Sequence, residues 1–175
     1  MLPKSKNERR RLVARFREVF SYNKNTGALR WTETLSNRAP AGSLAGSSSN
    51  GHREVSVDGV SYKTTHVIWA LVYGKLPVTL IDHKDGDGEN DKLANLREAE
   101  HYQNAWNCRM HADNMTGFKG VLKHSAEQRQ KIFQAKICVQ GRRISLGYFH
   151  TPEEAHAAYV KAAAQQFGEF AWSRR

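Results

Sequence analysis

The sequence is poor in the residues that build cross-linked or membrane-embedded proteins. Of its 175 residues only two are cysteines, Cys108 and Cys138, and they lie far apart in the chain. This rules against a disulfide framework or a four-thiolate zinc site and predicts reduced thiols. No apolar run approaches the roughly 20 residues that a membrane-spanning helix requires. The charged N-terminus lacks the apolar stretch of a signal peptide, so we expect an intracellular protein.

Acidic residues are scarce relative to basic ones. The chain has 27 Lys and Arg against 17 Asp and Glu, which gives a net charge of +10. Residues 1–30 carry nine basic and two acidic side chains, residues 31–115 carry eight and eleven, and residues 116–175 carry ten and four. An acidic middle between two basic ends predicts a polyanion held by the ends and a metal cation held by the middle.

An apolar stripe with helical spacing predicts a helix over residues 7–20. The arginines around the stripe either form a solvated face or contact phosphates, and the sequence leaves both alternatives open. These arginines are Arg9, Arg10, Arg11, Arg15 and Arg17.

Turn signals and breakers organise the next segment. The Asn-Thr-Gly at 25–27 and the Asp-Gly at 58–59 predict hairpins between residues 21 and 63. The segment 39–51, rich in Gly, Ser and Ala, predicts a loop. A helix capped by Thr64 or Thr65 is expected to end at Gly74.

The region from Ile81 to Asn107 carries the most informative pattern. An apolar strand over 78–81 leads into Asp82 and His83, a polar Gly-rich loop covers 84–91, and a return strand begins at Asn95. A helix is predicted from 98 to 108. The acidic loop resembles a calcium loop in composition, but its spacing excludes an EF-hand.

These residue types suit phosphodiester hydrolysis. A histidine with an ordinary pKa of ~6.5 can take a proton from water near neutral pH. A carboxylate and an amide oxygen, here Asp82 and Asn104, favour a hard cation such as Mg²⁺ over Zn²⁺. On a regular strand Asp82 and His83 point to opposite sides. A shared site therefore requires a kinked backbone or a place at the strand's edge.

The pattern resembles the HNH endonuclease motif in its phage and homing-endonuclease form, over most of residues 20–107. The resemblance implies a ββα-metal module in which a hairpin and a helix grip one divalent metal, Mg²⁺ or Mn²⁺. It implies metal ligands at Asp82 and Asn104, a general base at His83, and a loop-tying, base-orienting residue at Asn95. His66 precedes the motif in a segment that also resembles this family. It is expected either to face the active site or to make only a local hydrogen bond.

Beyond a linker predicted at 111–116 the pattern changes. Strands are predicted at 118–124, 132–139 and 142–149, with a tight turn at Gln140-Gly141. A capping box at Thr151–Glu154, with Pro152 in the first turn, predicts a helix that Gly168 ends. Alternation predicts a polar or basic face and an apolar face, the latter including Ile144, Leu146 and Tyr148.

Three short stretches of this part, Gly117–Val121, Leu146–Phe149 and Thr151–Tyr159, resemble the DNA-binding domain of plant ethylene-response factors, the APETALA type. The resemblance covers about residues 116–170 and implies a three-stranded sheet on one helix, with the sheet in the major groove. Ser145 and Lys136 stand where the family often has tryptophan and arginine, which predicts different or fewer base contacts. The alternative is a solvated face. The expected DNA-contacting residues are Lys119, Lys123, Gln134, Lys136, Arg143 and Ser145.

The two resemblances predict an α+β protein with an HNH nuclease module at 1–110 and a DNA-binding module at 117–175. The implied activity is metal-dependent hydrolysis of double-stranded DNA to 3′-hydroxyl and 5′-phosphate ends, within a host cell if the chain is phage-encoded. One active site per chain favours nicking by a monomer, with no membrane or small-molecule partner. Two alternatives remain: a non-catalytic DNA-binding regulator on an HNH scaffold, and an RNA- or structure-specific binder.

Overall fold

The computed structural model describes Pro3 and residues 5–49, 51–107, 113–125 and 130–171. Contacts divide the chain into two compact units, Met1–Glu100 and His101–Arg175. Mixed helices and small antiparallel sheets confirm the α+β class. The division precedes the expected linker at 111–116, whose first residues lie outside the described part, so the module boundaries stay a prediction. In the described segments no helix has both the length and the apolar character needed to cross a membrane.

The N-terminal unit begins with helix α1 (Lys6–Val19). Ser5 and Glu8 form a capping box, in which Glu8 N donates to Ser5 Oγ at 3.2 Å and Ser5 N donates to Glu8 Oε2 at 3.4 Å. The apolar stripe is buried in the core. Phe20, expected to be helical, instead starts strand β1, because its extended backbone pairs with Trp31.

Two small antiparallel sheets follow α1. Strands β1 (Phe20–Asn23) and β2 (Ala28–Trp31) form one hairpin. Strands β3 (Ser47–Ser49), β4 (His52–Val57) and β5 (Val60–Lys63) form a three-stranded sheet. Both expected hairpins are present, but β3 corrects the expectation of an uninterrupted loop over 39–51. Its exposed serines show no strand pattern, and only their backbone pairing with β4 makes them a strand.

Helix α2 (Thr64–Tyr73) ends at Gly74, which adopts the expected left-handed conformation with φ 68°. The cap at its start differs from the expectation, since Lys63 is the N-cap and makes no side-chain cap. The hydroxyl of Thr64 instead donates to Asp91 Oδ2 at 2.8 Å.

Strands β6 (Leu80–His83) and β7 (Leu96–Ala99) form the hairpin that carries the motif. Residues 98 and 99 were expected in a helix but belong to β7. Their backbone pairs with β6, and the apolar side chains of Leu96 and Ala99 are buried. A 3-10 turn at Leu93–Asn95 leads into β7.

The C-terminal unit contains helix α3 (His101–Trp106), three strands and helix α4 (Pro152–Phe167). The strands are β8 (Val121–Lys123), β9 (Phe133–Val139) and β10 (Arg142–Phe149), with β9 in the centre. The Trp106 ring stacks on Phe167 at 4.2 Å between centroids. This contact explains why α3 groups with the C-terminal unit. Cys108, the expected helix end, lies outside the described residues.

The local signals of this unit are confirmed. Gln140 and Gly141 have φ of 49° and 77°, the left-handed pair that a two-residue hairpin turn requires. Thr151 and Glu154 form the expected capping box, and Gly168 follows the last residue of α4. Strand β8 is shorter than expected because residues 118–120 form turns.

A bulge in β10 overturns part of the expected alternation. Ser145 pairs with Lys136, whereas Gly147 pairs with Ala135, so Leu146 is an extra residue. Beyond the bulge the faces exchange, and Tyr148 lies opposite Gln134 on the polar face. Its assignment to the apolar face was wrong.

Gly27 offers a test of how tightly the first hairpin packs on the motif loop. It has φ +78°, and a Cβ there would lie 2.7 Å from Lys92 N and 2.8 Å from Asp91 C. Gly59 has the same φ but nothing within 4 Å. We expect Gly59→Ala to cost about 1–2 kcal/mol for the left-handed backbone, and Gly27→Ala to cost at least ~1 kcal/mol more because backbone must shift. Urea unfolding measures both, and equal losses would contradict the packing.

Candidate functional site

Asp82 lies in a buried cross-strand ion pair. It stands directly opposite Arg97 in the β6–β7 register. Arg97 Nε donates to Asp82 Oδ2 at 2.9 Å, and Nη2 lies 2.8 Å from the same oxygen. The residues are only 4% and 8% exposed. A buried charge needs such a partner, so Arg97 fixes the carboxylate, and a cation bound there must share it with Arg97.

His83 is the last residue of β6, and the register is regular through it. Alternation therefore directs its side chain away from that of Asp82. The imidazole, in a residue 6% exposed, has Nε2 at 3.0 Å from Asp91 Oδ1. The regular register shows no kink at this point, and a site shared by Asp82 and His83 stays a prediction.

Asp91 is the functional candidate that the sequence analysis missed. Its carboxylate accepts hydrogen bonds from His83 on one oxygen and from Thr64 on the other. Tyr22 Oη donates to the Asp91 carbonyl at 2.7 Å. Burial, reinforced by the Asp91 charge, raises the pKa of Tyr22 to about 12, so this hydroxyl stays a donor. No sequence signal links Asp91 to Thr64 and Tyr22, because the three are far apart in the chain.

The hydrogen bond to Asp91 selects a tautomer of His83. An ionised carboxylate only accepts hydrogen bonds, so the imidazole proton is placed on Nε2. The other nitrogen, Nδ1, is then the one that can take up a proton. A histidine oriented by a carboxylate in this way has the chemistry of a general base.

Asn95 ties the motif loop, as the resemblance implied. Its Nδ2 donates to Asp85 Oδ1 at 2.9 Å and to the Asn90 carbonyl at 2.8 Å, and its Oδ1 accepts from Asp85 N at 3.1 Å. Partial burial raises the pKa of Asp85, but hydrogen bonds from Asp87 N and from the Asn90 and Asn95 amides outweigh it. The net effect lowers the pKa. The loop is thus held closed around an ionised Asp85.

His52 lies beside the candidate base. Its ring is stacked with that of His83, with centroids 6.4 Å apart. Burial, together with the nearby Lys63 and His83, lowers the pKa of His52. Gly88 allows the motif loop to approach the start of β4. A Cβ at Gly88 would lie 1.9 Å from Gly51 O and 2.9 Å from His52 Nδ1. No motif reasoning pointed to His52.

The remaining motif residues occupy separate places. His66 lies half-buried in the first turn of α2. Burial, with Lys63 nearby, lowers its pKa to about 4, so it is neutral at neutral pH. Asn104 lies in α3, which belongs to the C-terminal unit. The predicted roles of both residues stay predictions.

The polar face of the C-terminal sheet differs from the expectation in detail. Gln134 is only 5% exposed, and its side chain is engaged: Nε2 donates to Ser145 Oγ at 2.8 Å, and Oε1 lies 2.9 Å from His124 Nε2. Tyr148 packs against His124 on the same face, with ring centroids 5.6 Å apart. This makes Gln134 an organiser of the face rather than an exposed reader of bases.

The two lysines expected from the first strand are placed differently. Lys119 precedes β8, and its Nζ donates to the Trp106 carbonyl at 2.9 Å. Lys123 pairs with Phe133, so it projects from the side opposite Gln134, and its assignment to the polar face was wrong. The same register places Val121 opposite Ala135, which explains why the Val121 side chain is buried. Lys136 and Arg143 remain on the polar face, and Arg143 is exposed.

The donor chemistry near the motif fits a hard cation rather than a soft one. Within the described segments no three His, Cys, Asp or Glu side chains form a group that could hold a metal. The predicted set is smaller, consisting of the Asp82 carboxylate and the Asn104 amide oxygen. Oxygen donors of this kind suit Mg²⁺ or Mn²⁺. The buried, oriented carboxylate of Asp82 suits such a cation, and Arg97 competes with the cation for this carboxylate.

Comparison with known proteins bears on the same segment. Residues 62–109, which contain all the predicted catalytic residues, match a family model described as HNH endonuclease. Protein 3.8 of Escherichia phage T7 is 31% identical over 77 residues, which cover 43% of this chain and 61% of that protein. The chain thus spans less than two thirds of that relative. No solved structure matches the chain significantly. The family match indicates a nuclease or DNA-binding function. It ends before residues 116–170, whose resemblance stays a prediction.

His66 should make stability depend on pH. Its pKa falls from the ordinary 6.5 to about 4 in the folded chain, so between these values the unfolded chain binds the proton more tightly. The stabilisation is complete above pH 6.5 and is lost as pH falls toward 4. We expect wild type to lose about 2–3 kcal/mol more than His66→Gln between pH 7 and 4. Chemical unfolding at each pH measures this, with exposed His150→Gln as control. Parallel curves for wild type and His66→Gln would refute it.

Proposed function

We propose that this protein is a metal-dependent DNA endonuclease that nicks one strand of a duplex. The observation that carries the proposal is the HNH endonuclease match over residues 62–109, whose central histidine, His83, is hydrogen-bonded by a buried carboxylate. A family match alone is equally compatible with binding. The His83–Asp91 arrangement favours catalysis, because it gives the imidazole the orientation and tautomer of a base.

In the proposed reaction His83 Nδ1 takes a proton from a water molecule. The water oxygen forms a bond to phosphorus, the bond from phosphorus to the 3′ oxygen breaks, and the departing 3′ oxygen takes up a proton from solvent water. The products are a 3′-hydroxyl and a 5′-phosphate end, as the family resemblance implies. Asp91 keeps the proton on Nε2 and stabilises the imidazolium that forms, since a carboxylate beside it compensates the new charge.

Asp82 and Asn104 are the proposed ligands of Mg²⁺ or Mn²⁺, and β6, β7 and α3 the proposed ββα-metal elements. When bound, the ion would relieve negative charge at the phosphate oxygens and the leaving oxygen. Arg97 orients Asp82 for this role through the ion pair described above. Asn95 contributes by holding the loop that carries Asp91.

The C-terminal sheet is the proposed positioning surface for duplex DNA. Its polar face presents Lys136, Arg143 and Tyr148 around the engaged side chain of Gln134. A small sheet with basic side chains fits the major groove of DNA, whereas the RNA major groove is too narrow to be read. The phage relative is consistent with a site of action in the cytoplasm of a host cell, and a monomer accounts for nicking.

A second candidate function is supported by one observation. The Asp82 carboxylate is occupied by Arg97 in a buried ion pair, and such a pair also suits an HNH scaffold kept only for structure. The protein would then be a non-catalytic DNA-binding regulator. Strand cleavage separates this candidate from the first.

Cleavage of supercoiled plasmid tests the proposal. We expect wild type with Mg²⁺ or Mn²⁺ to produce relaxed circles, and EDTA to abolish them. Replacing the base in His83→Ala should lower the nicking rate by about 10²–10⁴-fold. The matched control is His150→Ala, since His150 is an exposed histidine that follows β10.

Three outcomes are decisive in this assay. Loss of activity in both histidine variants would contradict a specific role for His83. Linear product formed at the same time as the first nicked circles would indicate paired active sites and overturn the monomer. Supercoiled DNA that is bound but never cut, on plasmid and on genomic DNA of phage and host, would favour the non-catalytic regulator.

A further inference from the structure

Five of the six basic residues of α1 fall into two sets with different environments, and the sixth, Arg11, is exposed on another side of the helix. Arg9 and Arg15 serve the fold. Arg9 Nη2 donates to the Pro77 carbonyl at 3.0 Å, which anchors α1 to the segment before β6. Arg15 forms ion pairs with Asp58 at 3.1 Å and with Glu18 and Glu33 at 3.1 and 3.4 Å. Neither arginine is available as a simple phosphate contact.

The second set lies along one edge of the helix. At 3.6 residues per turn, Lys6, Arg10 and Arg17 project within about 40° of one another and span ~16 Å of the axis. All three are exposed, and in the described part of the chain no carboxylate forms an ion pair with them. Arg17 Nη2 lies 3.0 Å from where a Cβ on Gly74 would be, next to exposed Lys75. These four residues are called the α1 basic edge.

The chemistry of this edge excludes one class of polyanionic partner. A basic helix that binds a membrane surface must insert its apolar face between lipids. The apolar face of α1 is instead buried in the protein core, since Val13, Phe16 and Val19 are 5%, 0% and 0% exposed. What remains available on α1 is a row of cations, because the apolar face of this helix is buried. Such a row fits a regularly spaced chain of phosphates, as on a duplex where each strand advances ~3.4 Å per phosphate.

We infer that the α1 basic edge is a second contact surface for the backbone of duplex DNA, located on the nuclease unit itself. The inference rests on the proposed DNA-directed function, which it deepens. Contacts of this kind carry no sequence information, but they add affinity and hold the backbone on the unit that carries His83. The C-terminal sheet is then one of two independent attachments to the same duplex.

Salt dependence of binding tests the edge directly. The full chain is titrated onto a labelled 30-base-pair duplex in EDTA, so that cleavage does not interfere. Lys6→Gln/Arg10→Gln removes two exposed charges. We expect the slope of log K against log salt concentration to fall in magnitude by about 1.8, and affinity at 0.1 M salt to fall on the order of tenfold or more. Arg11→Gln/Arg38→Gln removes two exposed charges outside the edge, one of them on another side of α1, and should leave the slope close to wild type.

The outcomes separate this inference from the catalytic proposal. An unchanged slope in Lys6→Gln/Arg10→Gln, or an equal change in the control, would overturn the α1 basic edge even if plasmid nicking is observed. A selective slope change in a protein that never nicks would support the edge and remove only the catalytic claim. Equal competition by a duplex RNA of the same length would overturn the assignment to DNA. Adding Arg17→Gln, with melting temperature as a check because Arg17 lies over the end of α2, should lower the slope further.

Discussion

The buried carboxylate of Asp91 is the interaction on which the candidate site depends. It lies in the motif loop, is 2% exposed, and receives hydrogen bonds from His83 in β6 and Thr64 in α2. The backbone of the same residue receives the hydroxyl of Tyr22 from β1 and packs against the turn at Gly27. An unsatisfied carboxylate at this depth would cost several kcal/mol, so these partners and the loop must take their places together.

This constraint links the stability of the N-terminal unit to its proposed chemistry. The core helices and hairpins fix Thr64 and Tyr22, which in turn fix Asp91, and Asp91 fixes the imidazole of His83. Arg97 plays the corresponding part for Asp82 on the other side of the same hairpin. Both side chains proposed to act therefore have their orientation set before any substrate arrives, which is the preorganisation that the proposed hydrolysis would require.

Local signals in the sequence were sufficient for much of the fold. The capping box at Thr151, the left-handed Gly74 and the Gln140-Gly141 turn are short-range chemistry, and the helices and hairpin they delimit are where the sequence predicts them. The loop-tying role of Asn95 came from the family resemblance, and the hydrogen bonds of its side chain to Asp85 and Asn90 are short-range in the chain.

Features that depend on tertiary contacts could not be predicted in this way. The partners of Asp91 come from distant strands and helices, and the pairing of β3 rests on its backbone alone. The bulge at Leu146 exchanges the faces of β10, which a strict period of two cannot anticipate. For the same reason Tyr148 was assigned to the wrong side. Lys123 was misplaced because the register of β8 sets it opposite Phe133, and Gln134 was expected in solvent although its neighbours cover it.

The tautomer of His83 is the most direct measure of this account. Long-range proton–nitrogen NMR spectra near neutral pH distinguish a proton on Nε2 from one on Nδ1, and His83→Gln identifies which of the eight histidines gives the signal. The account predicts that His83 carries its proton on Nε2 in wild type and loses this preference in Asp91→Asn. A proton found on Nδ1 in the wild-type protein would contradict it, because the nitrogen proposed to accept the proton of water would already be protonated.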